Sequence, residues 1–361
     1  MTPPVAGRIA IVVGTRPEII KMAPIVRACV DRGVPYLLLH TGQHYSFEMD
    51  GVFFRELELP APHHNLEVGS GSQAYQIGAI VTGLEPILER ERPDVLLVEG
   101  DTNSVLAAGL TAHKMGIRVG HVEAGLRSYD RTMPEEINRI LTDHLSDHLF
   151  APTEHARTIL RGEGVAEARI HVTGNTVVDE VLRQRERARD PGRLQRFGLA
   201  SGAYALATVH RAENVEHEDR LRGIFAGLAE TSRVLGMPVL AALHPRTTRK
   251  LETLGLKVDG VRVLPPLGYL DFLGLHAEAA LMLTDSGGLQ EEACCLRVPC
   301  VTLRDNTERP ESVEVGANVL AGAEPKTIVA SARAMRERPR DWANPFGDGK
   351  SGARIVELLR P

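Results

Sequence analysis

The sequence predicts an α/β protein made of two doubly wound parallel sheets that follow one another along the chain. Short apolar runs ending in Gly, Asp, Thr or Ser recur, and they alternate with longer segments of helical periodicity. Buried parallel strands have this near-continuous apolar character, and strands that alternate with helices form βαβ units. The length of 361 residues fits two domains at roughly 100–200 residues each.

The apolar runs fall into two groups, and each group predicts one sheet. The first group is 8–15, 36–43, 94–101, 118–125, 148–153 and 170–175. After a charged helical segment, 181–198, the second group is 204–210, 238–245, 261–266, 281–286, 299–305 and 318–322. We therefore expect Rossmann-like domains over residues 1–174 and 175–345, followed by a segment, 346–361, that contains a short amphipathic helix.

Composition argues against several classes of protein. The formal net charge is −5 and aromatic residues are only 4%, so no basic, aromatic-rich surface for nucleic acid is indicated. No run approaches the ~18 apolar residues of a membrane span, and no signal-peptide pattern is visible. The four cysteines lack Cys-x-x-Cys spacing and suit free thiols in a reducing compartment. We expect a cytoplasmic protein with no nucleic-acid or membrane partner.

Polar residues cluster where the predicted strands end. Open parallel sheets bind their ligands at the carboxyl ends of the strands. The strand-end segments concerned are 14–16, 42–44, 100–102, 123–125, 210–211, 244–245 and 285–288. We expect both domains to direct these segments toward one interdomain cleft, which would be the active site.

The segment 285–292, DSGGLQEE, follows a predicted strand and begins a helix. Gly287 and Gly288 let backbone N–H groups approach an anion, and the helix N-terminus adds partial positive charge. With the hydroxyl of Ser286, this predicts a diphosphate site, and Glu292 could accept from ribose hydroxyls. A serine cap followed by surface glutamates is the alternative. Neither GxGxxG nor GxxxxGK[ST] is present, so nicotinamide and ATP are not indicated.

Two other strand ends carry cationic or imidazole side chains. Arg16 and Lys21 lie near the start of a predicted helix, where they could contact a phosphate. His210 and Arg211 end the first strand of the second domain. Solvent exposure is the alternative for the first pair, and a structural role is the alternative for the histidine.

Four carboxylates are candidates for acid–base chemistry. Asp101 and Glu123 end neighbouring predicted strands, and Glu135 and Glu136 follow in the first turn of a helix. Clustered carboxylates raise one another's pKa, which can provide an acid and a base near neutral pH. Such a set suits removal of a proton from carbon beside a departing oxygen. For Glu135 and Glu136, a solvated first turn is the alternative.

His144 and His148 are four residues apart and are predicted to share one helical face beside Asp143 and Asp147. Histidines at this spacing can hold a metal ion. Solvated helix faces commonly show the same pattern, so no metal site is predicted.

Taken together and in order, eleven segments resemble the motifs of the non-hydrolysing UDP-N-acetylglucosamine 2-epimerases. They are GTRPEIIKMAPI, TGQHY, EGDTNSVLAAG, GHVEAGLRS, MPEEINR, APTE, TGNTVVDEV, VHRAEN, LHPRT, TDSGGLQEEA and LRDNTERPE, between about residue 8 and residue 352. The resemblance implies a glycosyltransferase-B-like fold, with the last helix packing back on the first domain. It also implies a homodimer that needs no cofactor and no metal.

The reaction implied by the resemblance interconverts UDP-N-acetylglucosamine and UDP-N-acetylmannosamine. UDP would leave C1 while the C2 proton is removed, which gives 2-acetamidoglucal. UDP would then add back with reprotonation on the other face. The product would serve as a precursor of cell-surface polysaccharide.

The matching motifs also imply which residues form the site. Asp101, Glu123 and Glu135 would be the acid–base carboxylates, and His210 would assist the loss of UDP. The implied substrate-binding residues are Arg16, Lys21, Gln43, His44, Arg127, Asn175, Arg211, His244, Tyr269, Phe272, Ser286, Gly287, Gly288, Glu292 and Arg309.

The chain departs from the family's bacterial pattern in three places. Many members have His-Arg-Arg-Glu where this chain has 210–213, HRAE, and Pro-Phe or Pro-Trp before the Pro-Glu-Glu. An arginine that some members use to bind a second substrate as activator is missing from 69–73. Activation and the exact N-acyl sugar therefore stay open. Four alternative functions also stay open: a hydrolysing 2-epimerase, an epimerase of a UDP-diacetamido sugar, a glycosyltransferase and a nucleotide-sugar sensor.

Overall fold

The structure, a computed structural model, describes residues 7–43, 47–256, 260–265 and 267–360. The chain forms two compact units, of which the first is Met1–Glu180 together with Phe346–Pro361 and the second is Val181–Pro345. The chain passes from the first unit to the second between Glu180 and Val181, inside a helix. This point lies a few residues beyond the predicted boundary at residue 174.

The first unit is a parallel sheet flanked by helices. Its strands are β1 (Ile9–Val13), β2 (Tyr36–His40), β3 (His64–Asn65), β4 (Val95–Glu99), β5 (Arg118–Val122), β6 (His148–Ala151) and β7 (Ile170–Val172). Its helices include α1 (Arg16–Asp31), α2 (Phe47–Glu56), α3 (Gln73–Glu91), α4 (Asn103–Lys114), α5 (Pro134–Leu145) and α6 (Glu154–Gly162). A 3-10 turn (Glu167–Arg169) precedes β7, and α7 (Thr176–Ala188) contains the division.

The second unit repeats this architecture. Its strands are β8 (Ala205–Thr208), β9 (Val239–Ala241), β10 (Val261–Val263), β11 (Leu281–Thr284), β12 (Cys300–Thr302) and β13 (Asn318–Leu320). Its helices are α8 (Pro191–Arg196), α9 (Ala212–Val215), α10 (Glu218–Leu235), α11 (Pro245–Thr253), α12 (Tyr269–Ala277), α13 (Gly287–Leu296), α14 (Pro310–Glu314) and α15 (Pro325–Arg336). The last helix of the chain, α16 (Ser351–Leu359), belongs to the first unit.

Strand order locates the expected binding edge of each sheet. Among the described residues the orders are β3-β2-β1-β4-β5-β6-β7 and β10-β9-β8-β11-β12-β13, with all pairs parallel. The order reverses between β1 and β4 in one sheet and between β8 and β11 in the other. Ligands of doubly wound sheets bind at such switch points, beyond the carboxyl ends of the strands. The predicted fold class is confirmed.

All the predicted apolar runs contain strands, and β3 is the strand that the sequence analysis missed. It has only two half-buried residues, and its pairing with β2 is limited to Leu39 with His64 and His40 with Asn65. An edge strand this short carries no alternating apolar pattern. The prediction that His144 and His148 share one helical face is wrong, because α5 ends at Leu145 and His148 begins β6.

Helix α16 packs against α1 within the first unit. A Cβ at Gly352 would lie 2.7 Å from the Pro24 carbonyl carbon, so only glycine allows this approach. The Asp179 carboxylate accepts hydrogen bonds from the N–H groups of Ser351 (3.1 Å) and Gly352 (2.9 Å). These bonds cap the first turn of α16 and fix the helix to α7.

No helix among the described residues is both long and apolar enough to cross a bilayer. The four cysteines are unpaired, with Cys29, Cys294 and Cys300 buried and Cys295 half-buried. Burial raises the pKa of each thiol to about 12, so none of them is a reactive thiolate at neutral pH.

Candidate active site

The first unit carries a buried ammonium between two carboxylates at the switch point of its sheet. The Nζ atom of Lys21, on α1, lies 2.6 Å from Glu123 Oε2 and 2.9 Å from Glu99 Oε1. Glu99 ends β4 and Glu123 directly follows β5, so neighbouring parallel strands deliver both groups to the same edge. Lys21, Glu99 and Glu123 are 8%, 1% and 5% exposed. We call these three residues the Lys21 cluster.

Glu123 is held in an unusual backbone conformation. Its φ is +69°, in the left-handed region that non-glycine residues rarely adopt. Its N–H donates to the Phe150 carbonyl at 3.1 Å, and Asn175 Nδ2 donates to its Oε2 at 2.9 Å. Such strain costs about 1–3 kcal/mol and persists where surrounding contacts enforce it, commonly at functional sites. Asn175, predicted to bind substrate, here orients Glu123.

Glu18 is a further buried carboxyl of α1 that the sequence analysis did not select. It accepts from the Gly14 N–H at 2.6 Å and from the Thr15 hydroxyl at 2.9 Å, so it shapes the turn after β1. Burial raises its pKa to about 7, although these hydrogen bonds oppose the shift. The turn therefore rests on a group that titrates near neutral pH.

Asp101 lies beside a buried arginine at the carboxyl end of β4. Its Oδ2 is 3.5 Å from Arg139 Nη2, and its backbone carbonyl accepts from Asn138 Nδ2 at 2.9 Å. Arg139 is 2% exposed, whereas the Asp101 side chain is 27% exposed. Asp101 thus combines solvent access with a fixed arginine partner, and its predicted acid–base role stays a prediction.

The two glutamates at the start of α5 have different environments. Glu136 is buried and accepts from the N–H groups of Ser128 (3.0 Å) and Tyr129 (2.9 Å), so it orders the loop before the helix. Glu135 is half-buried. Of the pair, Glu136 has the structural role, and the predicted catalytic role of Glu135 stays a prediction.

Behind this edge lies a buried chain of charged groups. His121 Nδ1 is 2.6 Å from Asp143 Oδ1, and its Nε2 is 2.8 Å from the Gly100 carbonyl. Arg127 contacts Asp143 at 2.7 Å and Glu163 at 2.6 Å. Burial alone would raise the pKa of Asp143, but His121 and Arg127 outweigh it and lower that pKa. Arg127, predicted to bind substrate, is 3% exposed and supports the turn before Asp101 through this chain.

Other predicted residues of the first unit lie around β1 and β2. Arg16 has its guanidinium carbon 5.0 Å from the centroid of the Phe53 ring. Gln43 is buried, and its Oε1 accepts from the Ser104 N–H (3.0 Å) and hydroxyl (2.6 Å). The side-chain oxygen of Gln43 is therefore committed to α4. His44 lies outside the described residues.

In the second unit, Asp285 organises the switch point. It follows β11, is fully buried, and accepts from the N–H groups of His210 and Arg211 and from Asn214 Nδ2. Its Oδ1 is 3.0 Å from His210 Nδ1. Burial would raise the pKa of Asp285, but the charge and hydrogen bond of His210 with the other donors lower it to about 2. With Nδ1 engaged, the Nε2 of the 40% exposed His210 side chain can serve a ligand.

The predicted diphosphate turn leads into α13. Ser286 precedes the helix, and its side chain makes no capping hydrogen bond, so its hydroxyl is not used by the helix. A Cβ at Gly287 would lie 2.4 Å from Arg309 Nη1, which shows that the Arg309 guanidinium rests on this turn. Arg309 lies 3.3 Å from Glu308 and 3.4 Å from Glu291. Amide donors, a helix N-terminus and an arginine thus converge, as anion sites require.

Glu292 lies deeper in α13 beside a histidine that the sequence analysis missed. His276 is fully buried, and its Nδ1 is 3.7 Å from Glu292 Oε2. Phe272 contacts the same histidine, with ring centroids 5.9 Å apart, and Tyr269 is buried at the start of α12. His244 lies apart as the exposed N-cap of α11, where its Nδ1 accepts from the Arg246 N–H at 3.2 Å. A histidine inside an apolar helix gave no signal in the sequence.

The charges of the site do not form a metal centre in the part of the chain that the structure describes. Within 7–43, 47–256, 260–265 and 267–360, no group of three or more His, Cys, Asp and Glu side chains could hold a metal ion. The carboxylates instead have lysine, arginine, histidine and backbone N–H partners.

Two doubly wound parallel-sheet α/β units in one chain define a glycosyltransferase-B-like fold. The glycotransferase of kitacinnamycin matches 99% of this chain and 100% of its own, with a TM-score of 0.57 at 16% identity, which is a likeness of fold. The family model for UDP-N-acetylglucosamine 2-epimerase matches residues 28–360. The chain belongs to the UDP-N-acetylglucosamine 2-epimerase family.

Two relatives are similar over nearly the whole length. UDP-N-acetylglucosamine 2-epimerase of Methanocaldococcus jannaschii is 49% identical over 360 residues, covering 98% of both chains. Its crystal structure in complex with UDP-GlcNAc and UDP has a TM-score of 0.93 and covers 98% of this chain and 99% of its own. UDP-2,3-diacetamido-2,3-dideoxy-D-glucuronate 2-epimerase of Pseudomonas aeruginosa is 41% identical, covering 98% of this chain and 99% of its own.

Proposed function

We propose that this protein interconverts UDP-N-acetylglucosamine and UDP-N-acetylmannosamine by removing and replacing the C2 proton. The observation that carries the proposal is the Lys21 cluster, where Glu123 is buried, strained and paired with an ammonium at the carboxyl end of β5. Such a carboxylate suits proton abstraction from carbon. The bound UDP-GlcNAc of the M. jannaschii relative supports the choice of substrate.

The chemistry balances without a redox step. A carboxylate takes the C2 proton, the C2–H electron pair forms the C1–C2 double bond, and the C1–O bond breaks with its electrons on UDP. UDP then adds back to C1 while an acid delivers a proton to the opposite face of C2. Two carboxyl groups are needed, and Asp101, Glu123 and Glu135 are the candidates.

Loss of UDP would be assisted by the second unit. The turn at 285–288, the N-terminus of α13 and Arg309 would neutralise the diphosphate, and Glu292 would accept from ribose hydroxyls. His210, whose Nδ1 is engaged by Asp285, would donate to the departing phosphate through Nε2. The interdomain cleft that would unite both half-sites stays a prediction, as do the homodimer, the cytoplasmic location and the supply of polysaccharide precursors.

The alternative candidate for the substrate is a UDP-diacetamido sugar. The relative from P. aeruginosa, 41% identical over the whole chain, is named for such a substrate. Proton abstraction at C2 would be the same in both cases, because only the substituents at C3 and C6 differ.

Proton NMR of the purified protein in deuterium oxide tests these proposals. With UDP-N-acetylglucosamine, we expect the manno epimer to appear with deuterium at C2 while the UDP-sugar persists. Release of free N-acetylmannosamine with UDP would instead indicate a hydrolysing enzyme. Failure with this substrate but exchange with the diacetamido uronate would select the second candidate, and failure with every UDP-2-acetamido sugar would refute epimerisation.

A further inference from the structure

The second carboxylate partner of Lys21 is not used by the proposed mechanism. Glu99 ends β4, is 1% exposed, and its Oε1 lies 2.9 Å from the ammonium that also contacts Glu123. We propose that Glu99 is a positioning residue that keeps its own proton, so that the Lys21 ammonium is directed to Glu123 as the ionised carboxylate of the pair. The inference rests on the proposed function, because it makes Glu123 the group that accepts the C2 proton.

The buried site around Lys21 holds more potential negative charge than positive charge. Lys21 contributes one positive charge, whereas Glu18, Glu99 and Glu123 would contribute three negative charges if all were ionised, a sum of −2. An excess charge of this size is costly in surroundings that exclude water. Two protons on the carboxyls reduce the sum to zero, which leaves one ammonium and one carboxylate.

The contacts decide which carboxyl stays ionised. Glu123 has the shorter contact with Lys21 and also accepts from Asn175 Nδ2 at 2.9 Å, and both donors favour its charged form. Among the described contacts, Glu99 has Lys21 at 2.9 Å. Burial raises the pKa of Glu99 well above its usual range, with Glu123 adding to the shift and Lys21 opposing it. Glu99 is therefore the member that holds the proton.

The charged groups that act on Glu99 come from α1 and from the residue that follows β5. Glu18 and Lys21 project from α1, and Glu123 follows β5. His40, at the end of β2, acts on Glu18 and lowers its pKa, though less than burial raises it. As pH rises, Glu18 ionises first, near pH 7, which makes ionisation of Glu99 still less favourable. Ionisation of Glu99 then divides the ammonium between two carboxylates and adds negative charge where a UDP-sugar, itself an anion, would bind.

Glu99→Gln separates this role from simple structural support. The amide oxygen of glutamine can keep the 2.9 Å contact that Glu99 Oε1 makes with Lys21 Nζ, but the side chain cannot ionise. We expect kcat/KM for C2 epimerisation to stay within about threefold of the wild type at pH 7, because no charge is lost there. We also expect the variant to lack the decline of kcat/KM that ionisation of Glu99 causes in the wild type above the Glu18 transition near pH 7. A hundredfold loss at every pH, or an unchanged alkaline decline, would overturn the proposal.

Glu180→Gln is the matched control, because Glu180 is another fully buried glutamate of the first unit and pairs with Arg27. It should lower stability without moving the pH profile. If Glu99→Gln does not fold, Glu99→Asp can be tested instead, because it keeps an ionisable group. We expect this variant to retain the alkaline decline of kcat/KM. Loss of the decline in Glu99→Asp would contradict the assignment.

Infrared spectroscopy of the ligand-free protein gives a readout independent of turnover. At pH 7, the band of protonated carboxyl groups should be weaker in Glu99→Gln than in Glu180→Gln, because only the former loses a protonated group. Equal bands would show that Glu99 is ionised and would overturn the proposal. Absence of C2 exchange in the wild type would refute the proposed function, and the infrared comparison would still decide the protonation of Glu99.

Discussion

Asp285 holds both the backbone and the side chain of His210. The carboxylate accepts from the His210 N–H at 3.1 and 3.0 Å, and Oδ1 lies 3.0 Å from the imidazole Nδ1. Since Asp285 also accepts from the Arg211 N–H at 2.9 Å, one buried group fixes the start of the segment after β8. The imidazole tautomer and orientation are thereby set before any ligand binds.

Asp285→Asn should impair catalysis more than binding. The amide cannot satisfy all the donors that converge on Asp285 and no longer stabilises a protonated His210, so we expect kcat to fall about a hundredfold. Steady-state kinetics of epimerisation measure this. Asp348→Asn is the control, because Asp348 forms an exposed ion pair with Arg354. A loss confined to KM would show that His210 does not take part in the chemical step.

Asp285 should also contribute to stability in a pH-dependent way. Its pKa is lowered to about 2 in the folded protein, so the folded state binds the proton less tightly than the unfolded state. The stabilisation is thus fully present above pH ~4 and is lost as pH falls toward 2; for a shift of this size it is about 2 kcal/mol. Denaturant unfolding at pH 3 and pH 6 should show a smaller pH difference for Asp285→Asn. Equal differences in the variant and the wild type would contradict the assignment.

Ionisation of Glu18 should lower the stability of the fold as pH rises, which is the opposite of the effect of Asp285. Its pKa is raised to about 7, so the folded state binds the proton more tightly and loses stability as pH rises from about 4.5 to 7. Glu18→Gln can still accept from the Gly14 N–H and donate to the Thr15 hydroxyl, but it does not titrate. Unfolding measured at pH 5 and pH 8 should show that the variant loses less stability, by up to about 3 kcal/mol. An equal loss in both proteins would refute the raised pKa.

Gly287→Ala should weaken binding of UDP. The added Cβ would lie 2.4 Å from Arg309 Nη1, and Arg309 can move only by disturbing its contacts with Glu291 and Glu308. We expect about a tenfold higher Kd for UDP, as measured by calorimetry, since one charged contact with the diphosphate is displaced. Gly162→Ala, on α6, is the control because its Cβ meets no atom within 4 Å. Unchanged affinity in Gly287→Ala would place the diphosphate away from this turn.

The sequence predicted the strands well because buried parallel strands leave long apolar runs. It predicted Asp101 and Glu123 as acid–base candidates because the ends of strands are recognisable in the same runs. It did not single out Glu99, which belongs to the same motif as Asp101, because a glutamate ending a strand gives no sign of the lysine from α1 that pairs with it. Contacts between distant segments of the chain leave no trace in the local pattern.

Two adjacent glutamates also show that the local sequence does not reveal tertiary contacts. Glu135 and Glu136 are equivalent in the sequence, yet they project about 100° apart around a helix. Packing of the preceding loop then decides that Glu136 is buried against Ser128 and Tyr129. Arg127 was predicted to bind substrate, and this role stays a prediction; the partners that bury it, Asp143 and Glu163, lie in other elements.

The placement of α16 in the first unit has a consequence for biosynthesis. This helix packs on α1 and is capped by Asp179, yet it follows the whole of the second unit along the chain. During translation, residues 181–345 therefore leave the ribosome before α16, the last helix of the first unit, is synthesised. During synthesis, the surface of α1 around Pro24 stays uncovered until the 351–359 segment emerges. The first unit can therefore complete its fold only after the whole second unit has been synthesised.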